Sequence, residues 1–173
     1  MVALLEETQT SEDVDADALL KQLASFEAAA DAEQSALESS SLQRLVAVLC
    51  SWLRAHENFP EVACLRSVLK VLARLLGQDS AADNIAVQKG LLTSAVALCG
   101  SHTNDAAMMR PCLEILATLS VLESADSILG RLAVVPAILE LQRQNPEGED
   151  LLEDILTTLA LMVKRTRHRR ALL

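Results

Sequence analysis

One phrase occurs twice in this chain. Residues 90–98 read GLLTSAVAL and residues 133–141 read AVVPAILEL, 43 positions apart. Each runs small residue, two apolar residues, a turn-like pair, two apolar residues, a spacer and leucine. Further matches fall near the same period: Leu45–Leu49 with Ala95–Cys99, Leu69–Leu75 with Leu113–Leu119, and Ile115–Val121 with Ile155–Leu161. Self-similarity at such a period marks stacked helical units, each covering the apolar side of its neighbour.

Composition agrees with helices packed on helices. Hydrophobic residues make up 51% of the 173 positions and aromatics only 2%, so Leu and Ala must build the interior. Five Gly and four Pro are too few for an all-β chain rich in tight turns. The formal charge of −9 resides in residues 1–40, which hold ten acids and one base, Lys21; the remainder holds 14 acids and 14 bases. The basic excess of a general nucleic-acid binder is missing. Cys50, Cys64, Cys99 and Cys112 lack CxxC spacing and sit in apolar contexts, which predicts reduced core thiols and a reducing compartment. The first ten residues resemble neither a secretory signal nor a presequence. No apolar run reaches the ~20 residues of a membrane span.

Along the chain, residues 1–14 read as a flexible acidic start. A helix is expected over about 15–37, with Leu19, Leu23, Phe26 and Ala30 on one face, capping the stack or binding a partner. Ser40 and Gln43 form a capping-box pair for a helix over about 42–55. Asn58, Pro60 and Glu61 announce a long helix over 60–76, with Leu65, Val68, Leu69, Leu72, Leu75 and Leu76 inward and Gly77 as its stop. A short helix over 81–89 ends at Gly90. A medium helix follows, with Gly100 as its stop. A long helix over 105–122 has its main segment starting at Pro111. Ser124 is expected to cap a short helix over 125–132, before a third medium helix and a long helix over about 149–163. The chain therefore divides into an acidic N-terminal segment, residues 1–40, and a repeat domain, residues 41–173.

The cycle of short helix, small residue (Gly90, Ala133), medium helix, polar loop and long helix over residues 40–165 resembles the armadillo-like family. The two-helix HEAT repeat is its nearest relative in pattern. The resemblance implies an all-α, right-handed solenoid of about three repeats behind the acidic N-terminal helical segment. It also implies a concave groove lined by the third helix of each repeat. Better-known members carry a ladder of Asn and Trp there. This chain departs from that pattern: its sole tryptophan, Trp52, falls on a second-helix position, and its asparagines fall in loops.

Polar residues on the three long helices recur at a spacing of four, one helix face each: Arg66, Lys70 and Arg74, then Arg110, Glu114 and Thr118, then Asp150, Asp154 and Thr158. They read either as a groove graded from basic to acidic or as solvated helix faces. Arg66, Lys70, Arg74, Arg110 and Glu114 are the first candidates for partner contact. Arg165, Arg167, Arg169 and Arg170, in the run Lys164–Arg170, are the second: a protein contact, a contact for nucleic acid or acidic lipid, an import signal, or bases favoured at a helix C-terminus. The terminal Ala171, Leu172 and Leu173 look like the beginning of another helix, as in a longer array or a covered end.

Catalysis finds no nucleophile elbow, P-loop or dinucleotide fingerprint. His56 and His102 occupy equivalent loop positions, which suggests a structural role. No cofactor, metal or small-molecule substrate is expected, and nucleic acid is disfavoured. The expected function is a non-catalytic scaffold or adaptor binding one or more protein partners, or members of a large complex. The compartment is expected to be cytoplasmic or otherwise reducing, with the nucleus an option from the basic run. A structural subunit of a large assembly and an armadillo-type nucleotide-exchange factor are the alternatives.

Overall fold

Apolar residues at three- and four-residue spacing build the longer helices of the computed structural model, which describes residues 20, 21, 23–25, 38–56, 62–132, 134–144 and 149–170, the side chains of 149, 150 and 164–170 excepted. All secondary structure among these residues is helical. The chain divides into two compact units, Met1–Leu91 and Leu92–Leu173.

In the first unit, α1 (Ser39–Ala55) packs against both α2 (Val62–Leu75) and α3 (Ser80–Gln88). Its inward residues include Leu42, Leu45, Leu49, Trp52 and Leu53. The apolar positions of α2 that periodicity marks, Leu65, Val68, Leu69, Leu72 and Leu75, are buried together with Leu76. Each such side chain contributes about 2 kcal/mol by leaving water. Leu23, on the helical piece of the acidic segment, is also fully buried. The expected partners on its face, Leu19, Phe26 and Ala30, lie outside the described residues, as do residues 1–14 and the capping residues Asn58, Pro60 and Glu61.

Gly77 ends α2 with φ 83°, a left-handed conformation that glycine adopts without steric cost. Its N–H donates to Asp83 Oδ1 at 2.9 Å. The Asp83 side chain is nearly buried, and burial pushes its carboxyl above the ordinary range against the opposing pull of that hydrogen bond. Asp79 caps α3, its Oδ1 accepting from the Ala81 amide at 2.8 Å.

The start of α1 corrects the expected capping box. Helix begins at Ser39, and Glu38 at the cap makes no side-chain capping bond. Gln43 Nε2 instead donates to Ser39 Oγ at 2.8 Å and to Asp79 Oδ2 at 3.0 Å, and the Ser39 hydroxyl donates to the same carboxylate oxygen. A local capping pair is thus replaced by a bond from the first turn of α1 to the cap of α3.

In the second unit, α4 (Leu91–Ser101), α5 (Ala106–Leu119), a 3-10 turn (Glu123–Ala125), α6 (Asp126–Arg131), α7 (Val134–Gln144) and α8 (Glu149–Arg170) follow in order. Long helix α8 packs mainly on α5 and also on α7. Gly90, with φ 86°, closes the turn before α4 as expected of a stop. Gly100 is not a stop: α4 runs through it, and Ser101 ends the helix with its hydroxyl on the carbonyls of Ala97 and Leu98.

Helix α5 starts earlier than its proline suggests. Asp105 caps it, Oδ1 accepting from Met108 N at 3.2 Å, and Pro111 sits inside the second turn. The missing proline N–H would have served the Ala107 carbonyl, and Ala107 is exposed to water. Ser124 does not cap α6: it lies within the 3-10 turn, and Ala125 precedes the helix without a side-chain bond. Among the described residues no helix is long and apolar enough to cross a membrane.

Candidate functional site

The second unit holds a groove between α5 and α8. Positions 110, 114, 117, 118 and 121 recur at three or four residues and so share one side of α5 and its C-terminal turn; 154, 157, 158 and 161 do the same on α8. Because these helices pack together, the two rows face each other across a groove of about 460 Å³ lined by Arg110, Glu114, Thr118, Val121, Asp154, Thr157 and Leu161, among others.

One end of the groove is charged. Arg110 Nε lies 3.7 Å from Asp154 Oδ2, and both side chains are close to half exposed. A pair so open to water contributes about 0–1 kcal/mol, so an incoming charge can replace either member at small cost. Glu114, one turn along α5, adds a second carboxylate. The middle carries the hydroxyls of Thr118 and Thr157. The far end is apolar, with Leu161 and Val121, the latter 57% exposed.

Thr158 has a different task from its expected place in a solvated polar row. It is 1% exposed, and its hydroxyl lies 2.8 Å from the Asp154 carbonyl and 3.3 Å from the Leu113 carbonyl of α5. Its single proton is shared between the shorter contact within α8 and the longer one to α5, so it links the two walls through the weaker half of a bifurcated bond. Asp150, its expected companion, has no described side chain.

Of the candidate contact residues, the structure therefore brings Arg110 and Glu114 together with Thr118 and Asp154. Arg66, Lys70 and Arg74 lie along α2 in the first unit, Lys70 and Arg74 exposed and Arg66 half-buried. Arg165, Arg167, Arg169 and Arg170 lie on the last turns of the α8 backbone, and their side chains lie outside the described set. Spacing of four found 110, 114, 118 and 154. It passed over Val121 and Leu161, each seven residues beyond a groove acid and one helical face away from notice only because both are apolar.

The other reactive groups are enclosed. All four cysteines are free and buried. Burial pushes the Cys50 thiol up to about 12. Cys112 is raised well above the ordinary thiol value by its hydrogen bond with Cys99, with burial adding to the shift. His56 Nδ1 lies 2.9 Å from the Trp52 carbonyl, and its ring stacks on the Trp52 indole at 4.5 Å. Trp52 is fully buried, so it belongs to the core of the first unit rather than to a binding ladder. His102 holds the α4–α5 turn through its backbone, N–H to Leu98 and carbonyl to Asp105. Among the described residues no three His, Cys, Asp or Glu side chains are grouped to hold a metal ion.

Comparison with protein-family models, curated proteins and solved structures finds no match for this chain.

Proposed function

We propose that this chain is a non-catalytic protein-interaction module of armadillo-like architecture, acting as scaffold or adaptor, and that the α5–α8 groove receives an extended segment of its partner. The observation that carries the reading is the groove itself: two facing helix rows that offer charge, hydroxyls and an apolar end in sequence. Two carboxylates, Glu114 and Asp154, against one guanidinium, Arg110, favour a cationic partner residue at the charged end. The Thr118 and Thr157 hydroxyls suit a peptide backbone, which needs both donors and acceptors. Val121 and Leu161 suit a small apolar side chain. Walls held by the buried packing of α5 on α8 are preorganised, which lowers the ordering cost of binding.

The solenoid reading draws support from helix order. Short α3, medium α4 and long α5 are followed by short α6, medium α7 and long α8. Repeat stacks of this kind present such surfaces repeatedly. Arg66, Lys70 and Arg74 occupy the corresponding long helix α2 and are proposed as further contacts.

A photo-crosslinking side chain placed at Thr118 or Thr157 tests the reading in cell extract, with Ser80 on α3 as control position. The expected result is one crosslinked protein at both groove positions, absent at Ser80 and lost on Glu114→Lys. Equal labelling at all three positions would place partner binding elsewhere. Reversal of Arg66, Lys70 and Arg74 to Glu then shows whether α2 contributes.

A further inference from the structure

The two walls of the α5–α8 groove keep the same measure. On the α5 side, Val121 follows Glu114 by seven positions; on the α8 side, Leu161 follows Asp154 by seven positions. Arg110 meets Asp154, and the Leu113 carbonyl meets Thr158, so the two helices run the same way along the groove. Seven residues are two helical turns, about 10.5 Å. Val121 stands just past the end of α5, whereas Asp154 and Leu161 both lie within α8. The midpoint of the two acids and the midpoint of the two aliphatic residues are therefore about 10.5 Å apart, whatever the stagger between the helices.

A ligand that meets both ends at once must hold a cation and an aliphatic side chain at that separation, on one side of its own chain. The regular conformations differ in whether they can. In a β-strand, residues on one face are two or four positions apart, at about 7 or 14 Å. In polyproline II they are three apart, at about 9 Å. An α-helix meets the distance with seven residues, but its backbone N–H and C=O groups are bonded internally. It would leave the Thr118 and Thr157 hydroxyls, which line the middle of the groove, with no backbone group to meet. Polyproline II has no internal hydrogen bonds, so its carbonyls are open to such hydroxyls.

We infer that the groove selects a polyproline II segment carrying Lys or Arg and, three residues away, a small aliphatic residue. The inference rests on the peptide-binding reading of the groove and adds to it the ligand's conformation and spacing. The cation enters between Glu114 and Asp154, where two carboxylates against Arg110 leave one negative charge in excess. The aliphatic side chain settles on Val121 and Leu161. The two residues between them present their carbonyls to Thr118 and Thr157. Proline at those two positions holds the ligand in the bound conformation beforehand, which lowers its ordering cost.

A series of short peptides tests it. Lysine and valine are separated by one, two or three prolines, in both orders, between flanking serines. Each peptide is titrated into the isotopically labelled full chain, and the groove amides give its Kd. In one of the two orders, the two-proline peptide is expected to bind at least about fivefold tighter than the others, because it alone engages both ends at once. Glycines in place of its prolines should weaken it about threefold or more, through the added ordering cost. Glutamate in place of its lysine should abolish binding to the wild type and restore it to Glu114→Lys. Peptides that move the groove amides with no preference for the two-residue separation, or with glycine as good as proline, overturn the inference and leave the groove reading standing. A series that moves none of those amides overturns it outright, and crosslinking of a partner at Thr118 or Thr157 decides the groove reading independently.

Discussion

The Thr158 hydroxyl of α8 reaches across to the Leu113 carbonyl of α5, 45 positions earlier in the chain, at 3.3 Å and in full burial. Two walls of one groove are joined at that point. The same hydroxyl also holds the Asp154 carbonyl one turn back, so the residue that fixes the wall also fixes the backbone bearing the groove's acid.

Replacement of Thr158 by Val keeps the shape and deletes the bond. The expected loss is about 1 kcal/mol of unfolding free energy, the net value of one buried hydrogen bond. Thr157→Val, on the exposed neighbour, should change stability by less than about 0.5 kcal/mol. Urea denaturation of the two variants checks the contrast. Equal effects would mean that the Thr158 bond does not hold the helices.

Acid should weaken the first unit through Asp79. Hydrogen bonds from Gln43 and Ser39 and from the Ala81 amide hold its carboxyl at about 2, below its ordinary 3.8. A carboxyl held low stabilises the fold fully above its ordinary value and loses that contribution as the pH falls toward the folded value. The window thus lies between about pH 4 and pH 2. Asp79→Asn should flatten the fall in urea midpoint across that window. Asp83 acts in the opposite sense, its carboxyl raised by burial, so the difference between wild type and Asp79→Asn is the informative quantity. An unchanged acid limb would contradict the Ser39–Gln43–Asp79 arrangement.

Gly90, just before α4, and Gly100, inside it, should respond oppositely to alanine. Gly90 has φ 86°, and a Cβ there would meet only an ordinary contact with Arg54 Nη1 at 3.7 Å. Backbone strain alone then sets the cost of Gly90→Ala, about 1–2 kcal/mol. Gly100 is helical with open space around its Cβ position, so Gly100→Ala should stabilise by about 0.5–1 kcal/mol. Thermal unfolding of both variants reads the sign directly.

That pair also shows what was legible in the sequence. Periodicity located the helices and the buried face of α2, because leucine spacing and helical geometry are local. Gly77 and Gly90 were legible as stops for the same reason. Gly100 was not distinguishable from them, since a glycine's φ depends on the chain beyond it. Ser40 with Gln43 satisfied the local capping rule, yet Asp79 outcompeted it from 36 residues downstream of Gln43, a partner visible only once α3 returns to α1. In the groove, the row Arg110, Glu114, Thr118 and the acid Asp154 were legible by spacing. That Thr158 turns inward while Thr157 stays in water was not, because it depends on where α5 lies against α8.

Native cysteine chemistry should be slow. Burial and the Cys99 contact hold the Cys112 thiol neutral, and Cys50, pushed up to about 12, is neutral through physiological pH. Iodoacetamide should label none of the four sites in native protein and all four in urea, as counted by intact mass. Rapid native labelling of Cys50 or Cys112 would place those thiols at the surface.

The most direct test of peptide binding is an amide chemical-shift map. Peptides selected against the folded chain from a random library are titrated into the isotopically labelled full-length protein. The account predicts the largest shifts at Arg110–Val121 and Asp154–Leu161, with binding lost on Glu114→Lys. Selected peptides that bind while leaving those amides unmoved would contradict it.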